Sequence, residues 1–340
     1  MSVPRVHRAH RALRWLRVNL FANAADTVLT LICLPLCVWA LWALAHWAVT
    51  QAQWHVVSDS LRVLMIGTFP RELSARAWGA ALALLLALAL TLAALSQMRY
   101  APRLTGRSLA IVWLTALIGV GWMLEPASSQ HWGGLLMSVL MTLGAAVLSV
   151  PLGVALALGR RSRFVSARLL CTAYIEVIRA LPLILVVYWV WIVTPMLVPG
   201  NAPPDLARGL LAFSFFYAAY VAEYVRSGLQ AVPRGQVEAA QSLGLSHFQV
   251  QRDVVMPQAL RVITPALAGN VLDIFNNVPL LFIIGLTDFF RAGQMVLVNP
   301  ESGGRSYEIY LFLFAVYLLI ASAITFGTRR LEHRMAVAHR

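Results

Sequence analysis

The sequence predicts an all-α polytopic membrane protein. Of its 340 residues, 60% are hydrophobic and 12% charged, and its mean hydropathy is +0.73, outside the range of ordinary soluble domains. Apolar stretches of about 20 residues, the length that crosses roughly 30 Å of hydrocarbon, recur along the chain. Arginines gather in alternate gaps between them, as cytoplasmic loops require.

About eight transmembrane helices are expected by this length criterion, near 25–49, 77–97, 109–125, 133–158, 169–196, 206–228, 260–287 and 307–328. The first follows an Arg-rich start and ends near Ala43-Leu44-Ala45, a pattern that mimics a secretory signal peptide. Its apolar part outruns the usual signal-peptide core and further spans follow, so an uncleaved first span is expected. The fifth carries Pro182 and Pro195 and the seventh Pro265 and Pro279, which makes these two the least regular.

Orientation follows from charge. With both ends inside, Arg5 to Arg17, Arg99 to Arg107, Arg160 to Arg168, Arg226 to Arg261 and Arg329 to Arg340 all fall on the cytoplasmic side. The opposite side keeps Arg62, Arg71, Arg76, Arg208, Arg291 and Arg305. The net charge of +13 is spread over successive loops and suits topology and anionic lipid better than nucleic acid.

Every Lys or Arg in the chain is arginine. A phosphate-binding loop needs its Lys, so no nucleotide site of that kind is present and a pyridoxal Schiff base is excluded. There is no His-Glu-x-x-His helix and no Gly-x-Ser-x-Gly elbow, so no enzyme is expected. Cys33, Cys37 and Cys171 have no His or carboxylate at ligand spacing and are expected to be small packing residues, with no metal.

One polar segment, 233–257, interrupts the apolar pattern with Arg234, Gln236, Glu238, Gln241, Ser242, Arg252 and Asp253. A central charge in hydrocarbon costs roughly 2.5–3.5 kcal/mol, so this segment belongs in water. Its apolar members Val237, Ala240, Leu243, Phe248 and Val255 then call for cover by a soluble protein. Pro233 suits the start of a helix, Gly244 its left-handed end, and Ser246 with Gln249 a capping box for a second helix that Pro257 closes.

Glu238-Ala239-Ala240, Gly244, Val254, Met256 and Pro257 fall at every spacing of the EAA loop and resemble that of permease subunits of bacterial ATP-binding cassette (ABC) importers. Further stretches are similar to the polar amino acid group of these permeases: Glu176-x-x-Arg179-Ala180-Leu181-Pro182-Leu183, with Ala180 for the usual Gly, and Ala222-Glu223-x-x-Arg226-Ser227-Gly228 through Gln236. The extension before them, with its external segment 57–77, looks like that of the M-type subunit of general L-amino acid importers.

The resemblance implies a type I ABC importer permease core formed by the C-terminal five helices. It implies a cytoplasmic Arg-rich N-terminus (1–24), a three-helix membrane extension (25–131), the core (132–328) with coupling loop 233–257, and a cytoplasmic tail (329–340). Glu238, Ala239, Ala240, Gly244 and Pro257 would couple to a separate ATPase that carries ATP and Mg, leaving this chain without a cofactor. The remaining partners implied are a second permease subunit, as heterodimer or homodimer, a periplasmic solute-binding protein and an amino acid substrate, in the bacterial inner membrane. An ion-coupled secondary transporter of a small polar solute is the alternative.

In the seventh span, Asn276-Asn277-Val278-Pro279-Leu280 stands where relatives usually carry Lys-Asp/Ser-Thr-Ser-Leu. There Asn270, Asp273, Asn276 and Asn277 recur at helical spacing and share a face. They are candidates for the substrate path, or for hydrogen bonds between helices alone. Glu176 with Arg179, and Glu223 with Arg226, are one helical step apart and are expected to form structural ion pairs. Trp189, Trp191, Phe213, Phe215 and Phe216 are expected as packing residues and interfacial anchors.

Overall fold

The computed structural model describes residues 15, 18–97, 102–300 and 304–337. Most of the expected N-terminal cytoplasmic segment, and Arg99 and Arg340, lie outside the described residues.

The chain divides into two units, 1–55 and 56–340. The first holds α1, Ala24–Thr50, which buries none of its residues. Asn23 caps it by accepting from the Asp26 N–H at 2.8 Å, satisfying one of the free donors of the first turn. After its end the chain folds back, and the Trp54 indole donates to the Ala48 carbonyl at 2.7 Å. Cys33 and Cys37 are exposed on α1, so these two are not the packing residues expected. In an apolar helix of this length such positions face hydrocarbon, which tolerates small sulfur side chains.

The boundary falls at the first residue of α2, His55–Ile66, a short amphipathic helix whose remaining residues belong to the second unit. Then come α3, Ser74–Gln97, and α4, Pro102–Leu124, which pack as a hairpin pinned by a 2.9 Å bond from the Trp113 indole to Thr91 Oγ1. The remaining helices are α5 Gly134–Arg160, α6 Val165–Ala180, α7 Leu183–Leu197, α8 Asp205–Gln230 and α9 Arg234–Ser242. They are followed by α10 Met256–Asn277, α11 Phe289–Val298 and α12 Ser306–Val337.

Helix α8 is the axis of this unit, packed against α5, α6, α7 and α10. Close approach to α5 depends on Gly153, where a Cβ would lie 2.8 Å from the Ala218 carbonyl oxygen and against the Val221 side chain. Small residues let helices meet at short range in a membrane, where lipid is as apolar as leucine. Met137, Met141, Val187, Phe213, Ile274 and Leu281 form the centre of the resulting core. A two-residue strand, Thr287–Asp288, pairs in parallel with Gly133 and Gly134 at the head of α5. The buried Asp288 carboxylate caps α11 by accepting from the Phe290 and Arg291 N–H groups, both at 3.0 Å.

Among the described residues, five helices are long and apolar enough to cross a membrane by themselves: Ala24–Thr50, Arg71–Thr91, Gly134–Arg160, His247–Ile284 and Ser306–Arg330. The expected spans at 109–125 and 206–228 are helical, but α8 is too polar to meet that test alone because it carries Arg208, Glu223 and Arg226. The expected fifth span is not one helix. It breaks at Leu181–Pro182 into α6 and α7, bent by 116°, because Pro182 disfavours helical backbone at Leu181, which adopts extended angles.

Candidate coupling loop and membrane site

The polar segment folds as a helical pair. Helix α9 starts directly after Pro233 and ends in a Schellman turn. The Gly244 N–H donates to the Gln241 carbonyl at 2.9 Å, and the Leu245 N–H to that of Ala240 at 3.3 Å. Gly244 sits at φ +80°, the left-handed conformation that such a turn needs and that a Cβ penalises. The expected capping box is present: the Ser246 N–H donates to Gln249 Oε1 at 2.8 Å, and the Gln249 N–H to Ser246 Oγ at 3.4 Å.

Pro257 does not close the second helix. The turn His247–Gln249 continues as a π-helical stretch, Val250–Val255, directly into α10, with Pro257 in its first turn. The Met256 N–H bonds to the Gln251 carbonyl, five residues back. This wider ladder lets proline enter a continuous rod that a strict α-helix would kink.

Ala240, Val250 and Val255 are buried together with Val221, Val225 and Ala259, so the loop shares the interior of the membrane helices. Glu238 and Ala239 are exposed. Of the apolar residues expected to need cover, Val237, Ala240 and Val255 find it within the chain. Leu243 and Phe248 do not, at 83% and 69% exposure.

The ion pairs depart from local spacing. Glu223 and Arg226 bond as expected, at 2.7 Å, but Glu176 and Arg179 do not pair with each other. Arg160, at the end of α5, takes Glu223 Oε1 at 2.6 Å and Glu176 Oε1 at 3.0 Å. Arg179 lies 3.6 Å from that same Glu223 oxygen, with its guanidinium 5.7 Å from the centre of the Tyr220 ring. The side-chain carboxyl of Glu223 is only 13% exposed, and three arginines converge on it. Its partner Arg160 is 63 residues away, a distance at which spacing rules carry no signal.

The four polar residues of α10 separate. Asn270 is buried, and its Oδ1 has no hydrogen-bond partner. Asp273 and Asn276 are exposed. Asn277 is half-buried and donates to the Tyr217 hydroxyl at 3.1 Å and to the Asp273 carbonyl at 2.8 Å. Tyr217, Tyr220 and Tyr224 of α8 line this region, and sequence reasoning missed them. Their spacing of three and four residues, which stacks side chains on one helix face, was the available signal.

At the opposite end of α8, Trp191, expected as packing, donates through its indole to Asp205 at 2.6 Å, and Arg208 donates to the Trp191 carbonyl at 2.8 Å. Phe213 and Phe216 are buried, while Trp189 and Phe215 are exposed. Cys171 is half-buried, with its Sγ filling the space a side chain at Gly159 would occupy. Among the described residues no cluster of His, Cys, Asp or Glu could hold a metal ion.

Residues 149–337 match the family described as binding-protein-dependent transport system inner membrane component. The chain is similar to the inner membrane amino-acid ABC transporter permease protein YhdY of Escherichia coli (strain K12), with 32% identity over 359 residues, covering 97% of this chain and 95% of that protein. It is also similar to the glutamate/glutamine/aspartate/asparagine transport system permease protein BztC of Rhodobacter capsulatus, with 28% identity and the same two shares. A solved amino acid ABC transporter with histidines contains a chain that matches at a TM-score of 0.54 and 31% identity, over 59% of this chain and 92% of that one. A family match across more than half the sequence and a relative aligned along nearly its whole length agree with the helical pair and the broken span: the chain belongs to the inner membrane components of binding-protein-dependent transport systems.

Proposed function

We propose that this chain is one of two permease subunits of an ATP-driven amino acid importer and that its helical pair seats in the separate ATPase. Family membership makes it a multi-pass inner-membrane transport subunit, not an enzyme, working with a solute-binding protein and an ATPase. The observation that carries the coupling role is the exposure of Leu243 and Phe248 at 83% and 69%, beside a turn held by the Gly244 and Ser246 caps. Glu238, Ala239, Ala240, Gly244 and Pro257 build the framework that presents them. Motion of a docked ATPase would pass along the unbroken rod from His247 into α10.

An amino acid substrate is supported by the names of the relatives and by the polar face of α10, where Asn270, Asp273, Asn276 and Asn277 would contact the solute. ATP and Mg²⁺ belong to the partner, and both termini face the cytoplasm on the arginine bias. The exposed Asp273 and Asn276 favour a second permease across the pathway, as a heterodimer or a homodimer. In this reading 25–131 is an extension and 132–328 the transport core, with Glu176, Glu223 and Arg226 structural.

The test is affinity purification of the chain from native membranes, with ATP hydrolysis assayed and co-purifying proteins identified. Recovery of an ATPase that is lost when Leu243 and Phe248 are both replaced by Asp supports the reading. An ATPase-free chain that moves solute in vesicles without ATP overturns it.

A further inference from the structure

Two opposite charges on the membrane helices are left with little or no pairing by the rest of the fold. Arg179 is the penultimate residue of α6, just before the break at Leu181–Pro182. Among the described residues its guanidinium makes no hydrogen bond, and its one ion pair is the 3.6 Å contact to Glu223 Oε1. That oxygen already receives Arg160 at 2.6 Å. A guanidinium has five N–H donors, so most of its capacity is unspent. Asp273, exposed on α10, makes no side-chain hydrogen bond or ion pair among the described residues. An unpaired carboxylate on a spanning helix is expensive unless it faces a pathway and acquires a partner there.

Both groups converge on the same stretch of α8. Arg179 lies over the Tyr220 ring at 5.7 Å, and Asn277, one turn beyond Asp273, reaches the Tyr217 hydroxyl at 3.1 Å. Tyr224 is within electrostatic reach of both Asp273 and Arg179. Tyr217 and Tyr220 stand in the central part of α8, Asp205–Gln230, with Glu223 one turn nearer its C-terminal end. The two charged groups do not form a salt bridge with each other. Discontinuous helices that open near the membrane midplane are a recurrent way to expose polar groups to a solute.

We infer that Arg179 and Asp273 are the two poles of a zwitterion site, with the guanidinium taking the α-carboxylate of an amino acid and the carboxylate taking its α-ammonium. The inference rests on the amino acid reading above and deepens it: Arg179 passes from a structural ion-pair residue to a substrate-binding one. An Arg fork matches a carboxylate with two parallel hydrogen bonds, and its loose tie to Glu223 lets it turn to the solute while Arg160 and Arg226 keep that carboxylate neutralised.

The test uses the whole purified importer and equilibrium dialysis with radiolabelled L-histidine, L-arginine and L-glutamine, each beside the amine that lacks its α-carboxylate: histamine, agmatine and 4-aminobutanamide. Wild type is expected to favour at least one amino acid over its amine by tenfold or more. Arg179→Gln should lower amino acid affinity at least tenfold and leave the amine unchanged, so that the preference collapses toward one, and Arg179→Lys should restore part of it. Asp273→Asn should weaken amino acid and amine alike. A preference that survives Arg179→Gln, or a loss shared equally by amino acid and amine, as a structural role or pairing with a second permease would give, overturns the site while leaving the importer reading intact. Wild type that neither binds nor transports any amino acid removes both.

Discussion

Arg160 Nη1 donates to Glu223 Oε1 at 2.6 Å, joining the C-terminal end of α5 to α8 across 63 residues of chain. The same guanidinium reaches Glu176 on α6 at 3.0 Å, so one side chain ties three helices together. Glu223 is the less exposed partner, at 13% against 26% for Arg160 and 58% for Glu176. Its loss leaves three arginines without their common anion, whereas loss of Glu176 leaves a solvated position. Because the arginines are partly exposed, the cost falls between that of surface and buried pairs. Glu223→Ala is expected to destabilise by about 1–3 kcal/mol and Glu176→Ala by about 0–1 kcal/mol. Thermal unfolding of the detergent-solubilised chain measures both, and equal shifts would contradict the hierarchy.

Gly244 holds φ +80° with open space around its Cα, so a substitution there meets backbone strain without a steric clash. Gly244→Val should cost about 1–2 kcal/mol locally and distort the turn between the two loop helices. Assembly with the ATPase is expected to weaken and transport per ATP hydrolysed to fall. Gly235→Ala, with open space and no positive φ, should leave both near wild type.

Gly153 is the opposite case, where crowding and not conformation forbids a side chain. Val221 and the Ala218 carbonyl occupy the space of a Cβ, so Gly153→Val should force α5 and α8 apart at a cost of about 1–3 kcal/mol or more. The yield of monodisperse protein in size-exclusion chromatography should drop sharply.

Ser138 is fully buried and its Oγ accepts the Phe289 N–H at 3.0 Å. Ser138→Ala leaves that donor buried without a partner, which costs about 1–3 kcal/mol. Ser138→Thr keeps the hydroxyl and should be milder if the extra methyl is accommodated. The comparison is read as the order of unfolding midpoints.

What the sequence determined by itself is whatever depends on neighbours a few residues apart or on the polarity of a whole segment. Hydrophobic length gave the membrane class, and the spacing from Glu238 to Pro257 gave the helical pair, its left-handed Gly244 turn and its Ser246–Gln249 cap, because capping is an interaction over three or four residues. The Glu223–Arg226 pair is legible for the same reason. The tertiary structure decided the rest. Local spacing allowed Glu176 to meet Arg179, yet the packing of α5 beside α6 and α8 delivered Arg160 to it instead. Pro257 looked like a terminator, but a π-helical ladder made it part of a continuous rod. Pro182, read as an irregularity within one span, became the point where two helices turn by 116°. In each case a local preference left several outcomes close in energy, and contacts between helices distant in sequence selected one.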